Sequence, residues 1–285
     1  MQWFDALVQG VLLGGMYAQY ALGMALMFGV MRIVNISHGD LVILLSLIGI
    51  SMAMAWGLGP FTVLIILVPL GVFMGWLLQK AILNKVVGSD PLPSLIATFG
   101  LSIALQNLML QIWSANSRSL PGEGIESRSI DIGGIYIGLL PVIVLVVATG
   151  LTWGLDLTLK RTRFGRALRA AAADVEAAAM TGINPRAVYA LATAIAVGIL
   201  GFAAVFQALR STVAPADGAA QLIYAFEAVI IGGMGSVWGA FIGSMVLGIS
   251  QGIGFRIDPG FGVLAGHIVF LIVLATRPQG LFGKA

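Results

Sequence analysis

The sequence predicts an all-α polytopic membrane protein of about eight or nine transmembrane helices, folded as a single domain over residues 1–285, with two broken-helix regions and a cytoplasmic helix. Three observations predict it. Only 9% of the residues are charged and 59% are hydrophobic, whereas soluble domains carry roughly 25% charged residues. The uncharged stretches between the charges have the length of bilayer spans, about 20 residues each. Polar, glycine-rich clusters interrupt the apolar sequence at two places. The absence of cysteine excludes a disulfide-stapled domain, a thiolate metal site and redox chemistry through sulfur.

Taken in order, the uncharged stretches place helices near 7–31, 41–56, 61–83, 94–113, 137–157, 187–208, 222–233, 237–253 and 261–276. The run from Asp40 to Lys80 is long enough for a helical hairpin, with Gly57-Leu58-Gly59-Pro60 supplying the turn. Asp5 precedes the first span and no basic segment comes before it, so the expectation is a retained N-terminus rather than a cleaved signal peptide.

Basic residues in short loops stay on the cytoplasmic side. Residues 159–186 carry Lys160, Arg161, Arg163, Arg166, Arg169 and Arg186 against Asp174 and Glu176, which makes this loop cytoplasmic. Lys80 and Lys85 read the same way. Residues 114–136 carry Arg118 and Arg128 against Glu123, Glu126 and Asp131, and are expected on the extracytoplasmic side. Arg277 and Lys284 put the C-terminus inside and, by parity, the N-terminus outside. The net charge of +3 therefore encodes topology and implies no nucleic-acid partner.

The two breaks are Asn35-Ile36-Ser37-His38-Gly39-Asp40 and Gly232-Gly233-Met234-Gly235-Ser236. Paired broken helices in two halves of a membrane protein point to an internally repeated transporter. Irregular backbone at membrane depth needs protein or a water-filled cavity to satisfy its amides. Both breaks are expected to approach one shared central pathway, the alternative being ordinary interfacial loops. Asn35, Ser37, His38, Gly39, Asp40, Gly232, Gly233, Gly235 and Ser236 are the pathway candidates, together with Glu227, the lone ionisable residue between Asp217 and Arg256.

His38 and Asp40 suit a proton relay, while Asp40 at a helix start suits a cap and dipole partner equally. His267 is expected to bond a neighbouring helix rather than a metal. Thr98, Ser102 and Gln106 share a helix face and either line a polar conduit or bond across helices. Glycines four apart (Gly10 with Gly14, Gly71 with Gly75, Gly248 with Gly252, and Gly235, Gly239 and Gly243) argue for close helix packing.

Residues 163–182 are alanine-rich and bounded by Gly182 and Pro185, which predicts one cytoplasmic helix. Within it, Glu176-Ala177-Ala178 followed by Gly182 resembles the EAA-x-x-x-G loop of permeases in ATP-binding-cassette (ABC) importers. The alternative is a basic amphipathic helix lying on anionic lipid. Four ordered blocks extend the resemblance over nearly the whole chain: 35–40, Arg163-Phe164-Gly165-Arg166-Ala167 with Gly182-Ile183-Asn184, 232–239, and Arg277-Pro278-Gln279-Gly280-Leu281-Phe282-Gly283. Together they look like the LivH-type permease of branched-chain amino acid importers. The wider superfamily's Ile-x-Leu-Pro continuation is missing after Gly182.

The resemblance implies a permease subunit of a bacterial inner-membrane ABC importer that moves branched-chain amino acids. Its coupling helix would present Arg166, Arg169, Glu176, Ala177 and Gly182 to an ATPase. Implied partners are a second permease of LivM type or a second copy, two cytoplasmic ATPases and a periplasmic solute-binding protein, all around membrane lipid. The sequence has no Gly-x-x-x-x-Gly-Lys-[Ser/Thr] phosphate loop, so the expectation is no cofactor bound by this chain, no enzymatic chemistry, and ATP used by the partner. Alternatives are an ABC permease for another small solute (another amino acid, an amide or urea) and an autonomous proton-coupled secondary transporter using Glu227, His38 or Asp40. An integral membrane enzyme is the most distant reading, because no nucleophile, base and orienting group cluster.

Overall fold

A computed structural model describes residues 2–88, 90–122, 124–132 and 135–283; Glu123 and Lys284, counted above for loop charge, lie outside them. Every apolar stretch folds as a helix. The order is α1 (Gln2–Met31), α2 (His38–Trp56), α3 (Pro60–Leu78), a π-helical turn (Gln79–Leu83), α4 (Asn84–Val86), α5 (Leu92–Trp113), α6 (Leu139–Arg161), α7 (Arg163–Ala173), α8 (Val175–Met180), α9 (Pro185–Arg210), α10 (Gly218–Gly232), α11 (Val237–Ile257) and α12 (Phe261–Thr276). Among the described residues, seven helices, counting α3 through α4 as one, are long and apolar enough to cross a membrane, and α12 is a shorter apolar helix. The chain is therefore a multi-pass membrane protein. α1 and α9 are the most buried spans, each 83% buried, and form the centre.

The expected turn after α2 is present: Gly57 adopts φ 62 at the C-cap and Pro60 opens α3. The segment between α5 and α6 adds a short antiparallel pair of strands, β1 (Ser129–Ile132) with β2 (Ile135–Gly138). The bundle has two distinct ends. At the hairpin end, Gln9 donates to the Tyr136 carbonyl at 3.0 Å, and Arg118 pairs with Val213 beyond the end of α9. At the opposite, basic end, the last turns of α1 and α6 meet α7 and the α10–α11 turn around one cavity. The described residues of the loops 114–136 and 159–186 thus occupy opposite ends of the bundle.

Two three-helix units repeat with inverted direction. α1 runs from the hairpin end to the basic end, and α9 runs back. α1 packs on α9, α10 and α11, while α9 packs on α1, α2 and α3. The glycine rows make both long contacts: a Cβ at Gly10 or Gly14 would fall 2.7 or 2.8 Å from the α11 backbone, and one at Gly71 would fall 2.6 Å from the Val197 carbonyl of α9. Small residues let these backbones approach, which is how apolar helices gain contact energy in lipid.

The single helix expected over 163–182 is split at Asp174, whose backbone is extended (φ −154). Its carboxylate accepts from the amides of Glu176 and Ala177, both at 2.9 Å. An aspartate in that geometry caps a new helix, so α8 starts afresh. The helix propensity of the flanking alanines loses locally to this cap.

Candidate functional site

The first break forms the buried start of α2. Asn35 organises it: its side-chain oxygen accepts from the Ser37 amide at 3.1 Å and the Ser37 hydroxyl at 2.7 Å. His38 then donates from Nε2 to the Tyr20 carbonyl at 2.9 Å. Tyr20 lies about eleven residues before the end of α1, so residues 32–37 fold back roughly 16 Å along that helix. α2 consequently begins deep in the bundle and runs outward to the hairpin end, where the Trp113 indole donates to Ser51 at 2.6 Å.

α10 is the inverted counterpart. After α9 reaches the hairpin end, residues 211–217 return inward through a 3-10 turn at Pro215–Asp217, and α10 starts against the start of α2. A Cβ at Gly39 would overlap the Gly218 carbonyl oxygen and lie 2.8 Å from the Leu222 amide, while one at Gly218 would lie 3.0 Å from Asp40 Cα. Two helix N-termini therefore meet in the protein interior. Partial positive charge gathers there, because each N-terminus presents unpaired amides.

Asp40 lies at this junction and is 2% exposed. It sits in the first turn of α2 rather than at the cap, which gives it the dipole-partner role. Gln106 of α5 donates to its carboxylate at 3.0 Å, and Ser102 also bonds it. Of the expected α5 stripe, Ser102 and Gln106 bond across helices, whereas Thr98 turns back to the Ser94 carbonyl. His38 and Asp40 reach different helices.

The second break does not join this centre. Gly232, Gly233, Gly235 and Ser236 lie at the basic end, where Gly235 packs on Gly29 and Gly233 packs on the 279–283 segment. Gly29 is nine residues beyond Tyr20, about 13 Å along α1. The physical reason is length: the 15 residues of α10 separate its ends by about 20 Å, and its first turn, not its last, meets α2. Gly233 has φ 104, and a Cβ there would fall 2.6 Å from the Gly283 amide. Backbone geometry and close packing both require glycine there.

Glu227 is 3% exposed and accepts a hydrogen bond from His267 Nδ1 of α12, which matches the expected role of His267. Nearby, Tyr17 donates to Gln251 at 2.6 Å and stacks on Tyr224 with ring centroids 4.8 Å apart. Tyr20 donates to Gln207 at 2.6 Å, and Thr193 donates to Gln79 at 2.6 Å beside the π-helical turn. A search for charged residues misses these amides and phenols. The available signal is a lone glutamine within an apolar span, as at Gln79, Gln207 and Gln251.

At the basic end, Gly165 packs against the Leu159 carbonyl and Arg169 donates to it, so α7 folds across the end of α6. Arg166, Glu176, Ala177 and Gly182 are exposed. α8 is nearly unpartnered: Val175 is 46% and Met180 is 84% exposed, and only Ala178 is buried. Gly182 ends the segment at φ 85 with open space around it.

An inverted pair of half-helices and an exposed helix at one end define a membrane transport subunit. The chain belongs to the family of branched-chain amino acid transport system permease components, whose model matches residues 6–275. It is 28% identical to the high-affinity branched-chain amino acid transport system permease protein BraD of Pseudomonas aeruginosa, over 99% of this chain and 96% of that protein. It is 26% identical to LivH of Escherichia coli K12, over 100% and 96%. It is also 27% identical to the fructose import permease protein FrcC of Rhizobium meliloti, over 85% and 69%. No solved structure matches it significantly.

Proposed function

We propose that this chain is the transmembrane permease of an ATP-driven ABC importer in the bacterial inner membrane, translocating branched-chain amino acids handed over by a periplasmic solute-binding protein. The observation that carries the reading is the meeting of the α2 and α10 N-termini at Gly39 and Gly218. Inverted half-helices of this kind place a transport site near the bilayer midplane. The path runs past Asn35, Ser37, His38, Gly39 and Asp40, against residues 215–222 and beside Ser102 and Gln106 of α5.

The basic end faces the cytoplasm, following the loop charges. There α8 docks on one of two ATPase subunits, with Glu176, Ala177 and Gly182 at the contact and Arg166 at its edge. Arg169 steadies α7 on α6. A second permease of LivM type, or a second copy, completes the membrane part. ATP binding to the partner subunits favours one arrangement of α8, and α7 carries that bias to α1, α6 and α9. One inverted unit then tilts on the other at the Gly39–Gly218 seam, a population shift driven by differential nucleotide binding.

The test is copurification followed by uptake. Tagged chain expressed with its genomic neighbours should retain an ATPase, and reconstituted vesicles should take up labelled leucine, isoleucine or valine only with ATP and the binding protein. Purification without an ATPase, or uptake driven by an ion gradient with this chain alone, overturns the reading. Uptake of fructose, an amide or urea in place of leucine overturns the substrate alone.

A further inference from the structure

The cavity at the basic end lies apart from the Gly39–Gly218 seam. It holds about 590 Å³ between the last turns of α1 and α6, helix α7 and the start of α11. Its apolar lining is exposed at Met234, Trp238 and Phe282. Its rim is cationic. Lys160 has a side chain 68% exposed and contacts Asp156 at 2.9 Å, and Arg169 gives one N–H to the Leu159 carbonyl while keeping further donors free. Asp156 lines the cavity too, so Lys160 and Arg169 leave its lining one net positive charge.

We infer that this cavity binds an anionic phospholipid, with the phosphate at Lys160 and Arg169 and acyl carbon on Met234, Trp238 and Phe282. Charge and depth carry the inference. The cavity sits where apolar spans end, Trp238 is 37% exposed, and indoles prefer the headgroup level of a bilayer. Basic pockets between helix ends on the cytoplasmic side take lipid phosphates. A free phosphate would satisfy the cations and leave the apolar lining wet, whereas a phospholipid meets both. The break at Asp174 then divides the loop, α7 serving lipid and α8 serving the ATPase. The inference rests on the cytoplasmic orientation proposed above, while its test reads lipid contact alone.

The experiment uses the purified transporter complex in nanodiscs and reads tryptophan quenching by brominated lipid, with Trp238→Phe identifying the contribution of Trp238. Brominated phosphatidylglycerol should quench that contribution several-fold more than brominated phosphatidylcholine, and 10 mM inorganic phosphate should leave the quenching unchanged. Lys160→Gln, at an exposed position that keeps folding intact, should weaken the preference by about fivefold, with a similar step for Arg169→Gln. Equal quenching by the two lipids, an unchanged preference in both variants, or displacement by phosphate each overturns the inference. Lipid contact is measured without transport, so failure of the import reading leaves a distinct signature.

Discussion

Gly39 and Gly218 touch backbone to backbone: a Cβ on the first would overlap the carbonyl oxygen of the second. This contact joins the two inverted units where neither has a side chain to yield. Gly39→Ala should therefore lower the thermal midpoint of the purified protein through overpacking, at about 1–3 kcal/mol, and reduce uptake by about tenfold or more. Gly100→Ala is the control, since nothing lies within 4 Å of a Cβ there. Normal uptake and stability in Gly39→Ala would remove the seam from the mechanism.

Asp40 and Gln106 bond across α2 and α5 at 3.0 Å, and a double-mutant cycle measures what that bond contributes. Interhelical hydrogen bonds in membranes are worth about 0.6 kcal/mol on average and up to about 2. Asp40→Ala alone should cost more than Gln106→Ala alone, because the second leaves Ser102 still bonded to the carboxylate. The two losses should be less than additive. Full additivity in denaturation midpoints would mean that the pair does not couple.

What the sequence made legible follows from which interactions are local. Hydropathy is a property of each stretch, so every apolar run became a helix, and the Gly57 to Pro60 turn followed from its own backbone chemistry. Loop charge likewise separated 114–136 from 159–186. The seam was half visible: Asn35 to Asp40 stood out, but its partner at Pro215 to Gly218 did not, because only packing decides which end of α10 faces α2. The glycines at 232–235 carried a signal for close approach without saying to what, and the answer is Gly29 and the 279–283 segment. Asp174 was read as a loop charge, although an aspartate three residues before Ala177 is also a cap.

The opposite ends of the bundle become opposite sides of a membrane by a labelling test, which the absence of native cysteine makes clean. Ala173→Cys and Ser127→Cys both fall at exposed positions. In intact spheroplasts, an impermeant maleimide should modify the cysteine at 127 and spare the one at 173, which should react only after lysis. The reverse pattern would invert the topology, along with the placement of α8.

Coupling through α8 makes the most specific prediction. Ala177 is exposed on a six-residue helix capped by Asp174, so an indole there has room within this chain and meets resistance only from a partner. Ala177→Trp should leave insertion and thermal stability unchanged, yet remove the ATPase from the purified complex or leave it hydrolysing ATP without uptake. Gly182→Val acts differently: at φ 85 a β-branched residue is strained by roughly 1–2 kcal/mol, which should shift α8 relative to α9 and reduce uptake with the ATPase still bound. A helix resting on lipid alone predicts the opposite ranking, with neutralisation of Arg166 mattering more than either change. Wild-type ATPase retention and uptake in Ala177→Trp would rule out α8 as the coupling element.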